Sequence, residues 1–379
     1  MLCRFLQLNK RCLSNQRLAI TSTEFVERRQ RIIGCVKEQT SNISSNKPIV
    51  VVLHAPSRQF CAPDVPYSFR QCSYFRYFTG LVEPDSVLMI TAEPGKKSLS
   101  TLYINRRSEQ EELWEGPNES HEAIFKTSGI SDIQDKQKFI PDLEKIIRNS
   151  IASFDMKQFY LKDQIAELLA TSSFVIPLRE IVDTLRWIKS PTEQNLMRKS
   201  CRIGSQAINA MICNSRCVTN ENEIVGRLEF EVRRRGASWL AYPPVVAAAD
   251  RANIIHYLNA DQTISEGDTI LVDAGCDYQG YISDITRVFP CSGQFTPSQL
   301  MLYNTLLDAH LFLIKFAKST RPLKLNDLYL AMIDKLAKNF SEIGLFTRNL
   351  SENELFHVCF YFLFILFIFP MCGHDLSCY

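Results

Sequence analysis

The chain has 379 residues, 46% of them hydrophobic and 22% charged, an ordinary globular composition long enough for two separately cored domains. Its 43 basic and 41 acidic residues leave a formal net charge of +2. No long-range field then draws the chain to nucleic acid or an acidic surface, and nucleic-acid binding is not indicated. The thirteen cysteines are odd in number and scattered, without the spacing of a disulfide framework or a zinc site. Cys213 and Cys217, the nearest pair, have no histidine close by and read as reduced thiols, with metal binding as the alternative.

In chain order, residues 1–23 hold Arg4, Lys10, Arg11 and Arg17 among leucines, with no acid. That pattern reads as a mitochondrial transit peptide, with a frayed basic terminus and a cytoplasmic protein as the alternative. A short helix starts at Thr23 and runs through Ile33 to Cys35. The run Pro48-Ile-Val-Val-Val-Leu-His54 reads as a buried strand. Further strands are expected at 87–91, 101–105 and 157–161, and helices at 141–149 and 162–170, giving a mixed α/β domain over 24–185. Within it the aromatic stretch Phe69 to Gly80 reads as core and strand edge.

Ser190-Pro191-Thr192-Glu193 spells a helix start, with serine as cap, proline at the first helical position and glutamate placed to close a capping box. Leu196, Met197, Cys201, Ile203, Ala207, Ile208, Met211 and Ile212 then recur at helical spacing and would line one buried face. A second domain begins at about 186, with another amphipathic helix over 221–235.

Its chemistry lies between 239 and 290. Asp273 and Asp284 are symmetric about the Tyr278/Gln279 midpoint, with Asp277 and Gly280 suited to the ends of a four-residue turn. Directly opposed on paired strands, their Cβ atoms would lie roughly 4.5–5.5 Å apart, close enough to share divalent ions. Without a cation they repel, and one pKa rises. A solvated edge hairpin with incidental acids is the alternative. Ile270-Leu271-Val272, Ile285 and Val288-Phe289 speak against it by implying apolar burial around both carboxylates. A lone histidine such as His256 is usually a satisfied core or surface residue, and only its context makes it a candidate.

Three segments supply that context: Arg186 through Lys199, Tyr242-Pro243-Pro244-Val245-Val246 through His256-Tyr257, and Val272-Asp273-Ala274-Gly275 through Ser283-Asp284-Ile285-Thr286-Arg287. Together they resemble the aminopeptidase P family over residues 24–354. The resemblance implies a mixed α/β fold whose second, catalytic domain is of the pita-bread type. It implies a metal-dependent peptidase that removes an N-terminal residue preceding proline by metal-activated water attack, using two divalent ions, usually Mn²⁺. By the same resemblance Asp273 chelates, Asp284 bridges the two metals, His256 faces the scissile bond and shuttles protons, and Tyr242 contacts substrate. Thr286 steadies the ligand strand. The implied partners are peptides with proline second and, commonly, further copies of the chain. Prolidase stays open on the hairpin alone.

The resemblance also implies a His-His-Val-Gly-His segment after the helix at 325–345, and two later glutamates. Here His357 precedes Val358-Cys359-Phe360, and Cys372-Gly373-His374-Asp375 has only a passing likeness. The expectation is therefore an incomplete catalytic domain over 186–354 and a non-homologous apolar tail over 355–379. That tail reads as translated non-coding sequence, with a short membrane anchor and a buried terminal helix as alternatives. An incomplete ligand set predicts an inactive chain, and a non-catalytic pseudoenzyme or binding partner is the second functional reading.

Overall fold

The computed structural model describes residues 20–41, 46–154 and 162–345. The expected leader, the strand expected at 157–161 and the apolar tail lie outside the described residues, apart from the last few positions of the expected leader. The described elements begin with α1 (Ser22–Thr40), β1 (Ile49–His54), β2 (Phe60–Ala62), β3 (Val65–Pro66), α2 (Ser73–Thr79), β4 (Val87–Ala92) and β5 (Leu99–Ile104). They continue with α3 (Glu109–Glu115), α4 (His121–Ser128), β6 (Asp132–Asp135), α5 (Phe139–Ile147), β7 (Ile151–Phe154), α6 (Lys162–Ala170), β8 (Phe174–Pro177) and α7 (Leu178–Trp187). The chain divides into two compact units between Thr192 and Glu193.

The first unit is built on a mixed sheet of order β6-β5-β4-β1-β7-β8. Strand β1 runs antiparallel to β4 and parallel to β7. Successive strand residues point to opposite faces, and both faces here are covered. Ile49, Val51 and Leu53 join the core under α1, α2 and α7, whereas Val50 and Val52 pack with Phe139 and Leu143 of α5. This is why the β1 sequence is continuously apolar rather than alternating.

Two expectations need correction here. Helix α1 is capped by Thr21, whose hydroxyl accepts from the Glu24 amide at 3.2 Å, and it extends to Thr40. Thr21-x-x-Glu24 is the better capping pattern, two residues before Thr23. Within the stretch Phe69 to Gly80, Ser73–Thr79 form helix α2 rather than a strand edge, closed by Gly80 in the left-handed conformation with its amide on the Arg76 carbonyl. Phe75, Tyr77 and Phe78 bury against the core, and that tertiary gain outweighs the aromatic preference for strands.

The second unit contains α8 (Pro191–Cys213), α9 (Glu221–Arg234), β9 (Trp239–Leu240), β10 (Val245–Ala248), β11 (Thr269–Ala274), β12 (Cys276–Tyr278), β13 (Tyr281–Ile282) and β14 (Ile285–Pro290). Helices α10 (Pro297–Ser319) and α11 (Leu325–Glu342) follow and pack together through Ala309, Met332, Leu336 and Phe340. Strands β10-β11-β14 form one antiparallel sheet and β13-β12-β9 another. The long hairpin from β11 to β14 crosses both.

Of the predicted α8 face, Leu196, Ile203, Ala207, Ile208 and Met211 are buried, while Met197, Cys201 and Ile212 sit half-buried at its edge. Ser200 and Gly204 fill the centre instead, because the hairpin crosses the helix closely. The Ser200 hydroxyl donates to the Cys276 carbonyl at 3.0 Å. Small and polar residues at such a crossing carry no hydrophobic signal in the sequence.

At Gly275 a Cβ would stand 1.6 Å from the Ser283 carbonyl oxygen, so the two arms of the hairpin close up only around glycine. Gly275→Ala should therefore lower the melting temperature of the second unit sharply. Gly226→Ala, on an exposed part of α9 with nothing near the added methyl, should raise stability by about 0.5–1 kcal/mol. Equal melting shifts for the two variants would contradict this close approach.

Candidate active site

The hairpin's register sets the site. Asp277 pairs with Ile282 and Tyr278 with Tyr281, so the turn is Gln279-Gly280. Both turn residues have positive φ, 55° and 87°, which is the two-residue primed turn that matches strand twist. The Gly280 amide also donates to Asp277 Oδ1 at 2.7 Å. The symmetry centre thus falls one residue later than the sequence suggested.

In consequence Asp273 is paired with Thr286, and Asp284 sits outside the strands, two residues before that rung. The aspartates are diagonal neighbours on one face rather than directly opposed, because residues two apart on a strand share a face. They still converge, through a third side chain. Ala241 donates its amide to the Gly275 carbonyl at 2.9 Å, which seats Tyr242 beside the hairpin. The Tyr242 hydroxyl lies 2.6 Å from Asp273 Oδ1 and 2.9 Å from Asp284 Oδ1.

One phenol proton serves two acceptors. Burial, then the two carboxylates, pushes the Tyr242 pKa far above its ordinary value, so this group stays a donor. Burial raises the Asp273 carboxyl to about 6, and the Asp284 charge adds to the rise, while the bond from Tyr242 opposes it. Asp284 itself is exposed at the mouth of the site and Asp273 lies half-buried beneath it. Thr286 Oγ1 is sealed from solvent without a well-aligned hydrogen bond, yet lies near enough to favour the ionised Asp273.

His256 is exposed in the turn before Tyr257. Tyr242, Asp273 and Asp284 are thus joined by hydrogen bonds, and among the described residues no hydrogen bond joins His256 to them. Two hard oxygen donors side by side, one held at an elevated pKa, suit a divalent cation. Among the described residues no third His, Cys, Asp or Glu completes a metal-binding group with them.

The raised Asp273 pKa has a signed consequence for stability. The folded state holds this proton more tightly than the unfolded one, so the group's contribution falls as pH rises from about 4 to about 6 and stays lost above that. In metal-free buffer, Asp273→Asn should therefore raise the melting temperature at pH 8 and give no such gain at pH 4. A loss of stability at pH 8 would contradict a carboxyl raised by burial and by the Asp284 charge.

Sequence comparisons find relatives of this chain, and fold comparison finds the same architecture. A model of the aminopeptidase P N-terminal domain matches residues 25–153, and one of metallopeptidase family M24 matches 195–359. Human Xaa-Pro aminopeptidase 3 is 30% identical over 349 residues, covering 89% of this chain and 68% of the relative. The mitochondrial intermediate cleaving peptidase 55 of Arabidopsis thaliana is 30% identical over 302 residues, covering 78% of this chain and 58% of the relative. In fold, the Pseudomonas aeruginosa aminopeptidase PepP superposes with a TM-score of 0.79 at 24% identity, covering 90% of this chain and 77% of that one. With both domain models matched in order and the hairpin carrying Asp273 and Asp284 inside the second, the chain belongs to the aminopeptidase P family of metallopeptidases.

Proposed function

We propose that the second unit carries the site of a metal-dependent Xaa-Pro aminopeptidase, acting on peptides whose second residue is proline. The observation that carries this reading is the convergence of Asp273 and Asp284 on one hydroxyl in a half-buried site, within a chain of this family. Asp273 and Asp284 would hold a divalent ion, manganese by family resemblance. When bound, that ion supplies water activation and polarisation of the scissile carbonyl.

The remaining roles belong to the chain's own groups. Tyr242 keeps its proton and can donate it to a carboxylate or to substrate. His256, exposed next to Tyr257, whose ring packs on the site's sheet, carries protons to and from the scissile nitrogen. Thr286 holds the Asp273 strand in place. The basic, acid-free leader and the similarity to a relative named as mitochondrial support action in the mitochondrion.

Asp273 and Asp284 are the members of the family donor set that can be identified, and His357 is followed by Val358-Cys359-Phe360. Peptide cleavage is therefore expected only where the remaining donors of the family set join them. The non-catalytic reading has one observation in its favour, that the Tyr242 hydroxyl stands between the carboxylates where a cation would bind.

Hydrolysis of an Xaa-Pro peptide with added Mn²⁺ tests this reading, with Asp273→Ala as the control. The expected result is Mn²⁺-dependent turnover, in a sample that holds the remaining donors of the set, that is lost in Asp273→Ala. Turnover that survives Asp273→Ala would overturn the site assignment.

A further inference from the structure

Glu221 opens α9 in the sequence Asn220-Glu-Asn-Glu223 and looks like one more surface acid at a helix start. It is instead fully buried. Its carboxylate accepts four hydrogen bonds from separate places: the Ala248 amide at 2.9 Å, Arg251 Nε at 2.9 Å, the Tyr257 hydroxyl at 2.8 Å and the Gln262 amide at 3.2 Å. A buried carboxylate is costly unless it is paired and saturated with donors, as this one is.

All four donors belong to the segment that carries His256 or to its two ends. Ala249 and Ala260 bracket that segment, with φ of 52° and 46°, a left-handed conformation unfavourable for residues with a Cβ. Such backbone persists only where its surroundings over-determine it. Glu221 holds the Ala248 amide immediately before the first and the Gln262 amide two residues after the second. Asn220 reinforces the far end by donating to the Asp261 carbonyl at 2.9 Å, and Arg251 does so by donating to the Thr263 carbonyl at 2.9 Å.

Between these ends the chain has one anchor. From Asn253 to Asn259 every residue is exposed except Tyr257. Its ring packs with Val245, Ala247, Leu271 and Val288. Through the strand register, these residues share the sheet face that bears Asp273 and Thr286. Its hydroxyl, raised by burial and by Glu221 to about 12, remains a donor to Glu221. His256 is the next residue.

We propose that Glu221 is a positioning residue for His256: one buried carboxylate fastens both ends and the centre of the 249–260 segment, and so fixes His256 beside the aspartate-bearing face. The role of His256 rests on the peptidase reading above, but the clamp itself does not require turnover. A purely structural Glu221 would stabilise the unit without setting the environment of this one imidazole.

The test uses the full chain with ¹³C-labelled histidine, whose six residues give six imidazole signals, the His256 signal being identified by its loss in His256→Gln. Tyr257→Phe removes a single hydrogen bond and keeps the ring, and Glu221→Gln removes the charge at constant shape. Both should displace and broaden the His256 signal while the other histidines stay in place. An unmoved His256 signal in a folded variant would overturn the proposal, as would all six moving together. Should Glu221→Gln fail to fold, Tyr257→Phe decides alone. Because the readout is spectroscopic, its failure is distinguishable from failure of peptide hydrolysis.

Discussion

Two carboxylates placed on one face of one hairpin repel each other, and the arrangement around Asp273 and Asp284 follows from that constraint. Tyr242 offers them a single proton from 2.6 and 2.9 Å, and burial, with the Asp284 charge adding to it, raises the Asp273 carboxyl to about 6. The hairpin tolerates this because it is tied down elsewhere. Ile270, Val272, Ala274 and Ile285 lie in the core beneath it, Ser200 and Ser283 bond the Cys276 backbone, and Gly275 lets the arms close. Apolar packing and backbone hydrogen bonding offset a local electrostatic cost, and a cation would relieve that cost directly.

The same economy governs the segment that carries His256. Backbone in a left-handed conformation at Ala249 and Ala260 is unfavourable on its own. It is retained by a carboxylate whose lone pairs are filled from four directions. In both places a strained or charged arrangement near the candidate chemistry is held by groups that do none of that chemistry. The aspartates, His256 and Thr286 were singled out from the sequence as candidates, whereas Ser200 and Glu221, which tie down their surroundings, were not.

That asymmetry has a physical basis. The central β1 strand and helices α5 and α6 were legible because their apolar periodicity is strong. Strand β1 reads as continuous because both faces are covered, and α5 and α6 read at helical spacing. The hairpin was legible too, but its register was displaced by one residue, because glutamine at positive φ in the turn is not a usual turn signal. Only the pairing of Asp277 with Ile282 fixes it. Helix α2 was hidden by aromatic residues whose local preference is for strands. Ser200 and Glu221 were hidden because their importance comes from what crosses or surrounds them in the folded chain.

The claim on which the account most depends is that Asp273 and Asp284 together accept a divalent cation. Titration of the full chain with Mn²⁺, followed by electron paramagnetic resonance, tests it without relying on turnover. The account predicts weak binding that strengthens as pH rises through about 6, where Asp273 gives up its proton, and that disappears in Asp273→Asn. Binding that is indifferent to pH and unchanged by Asp273→Asn would contradict it.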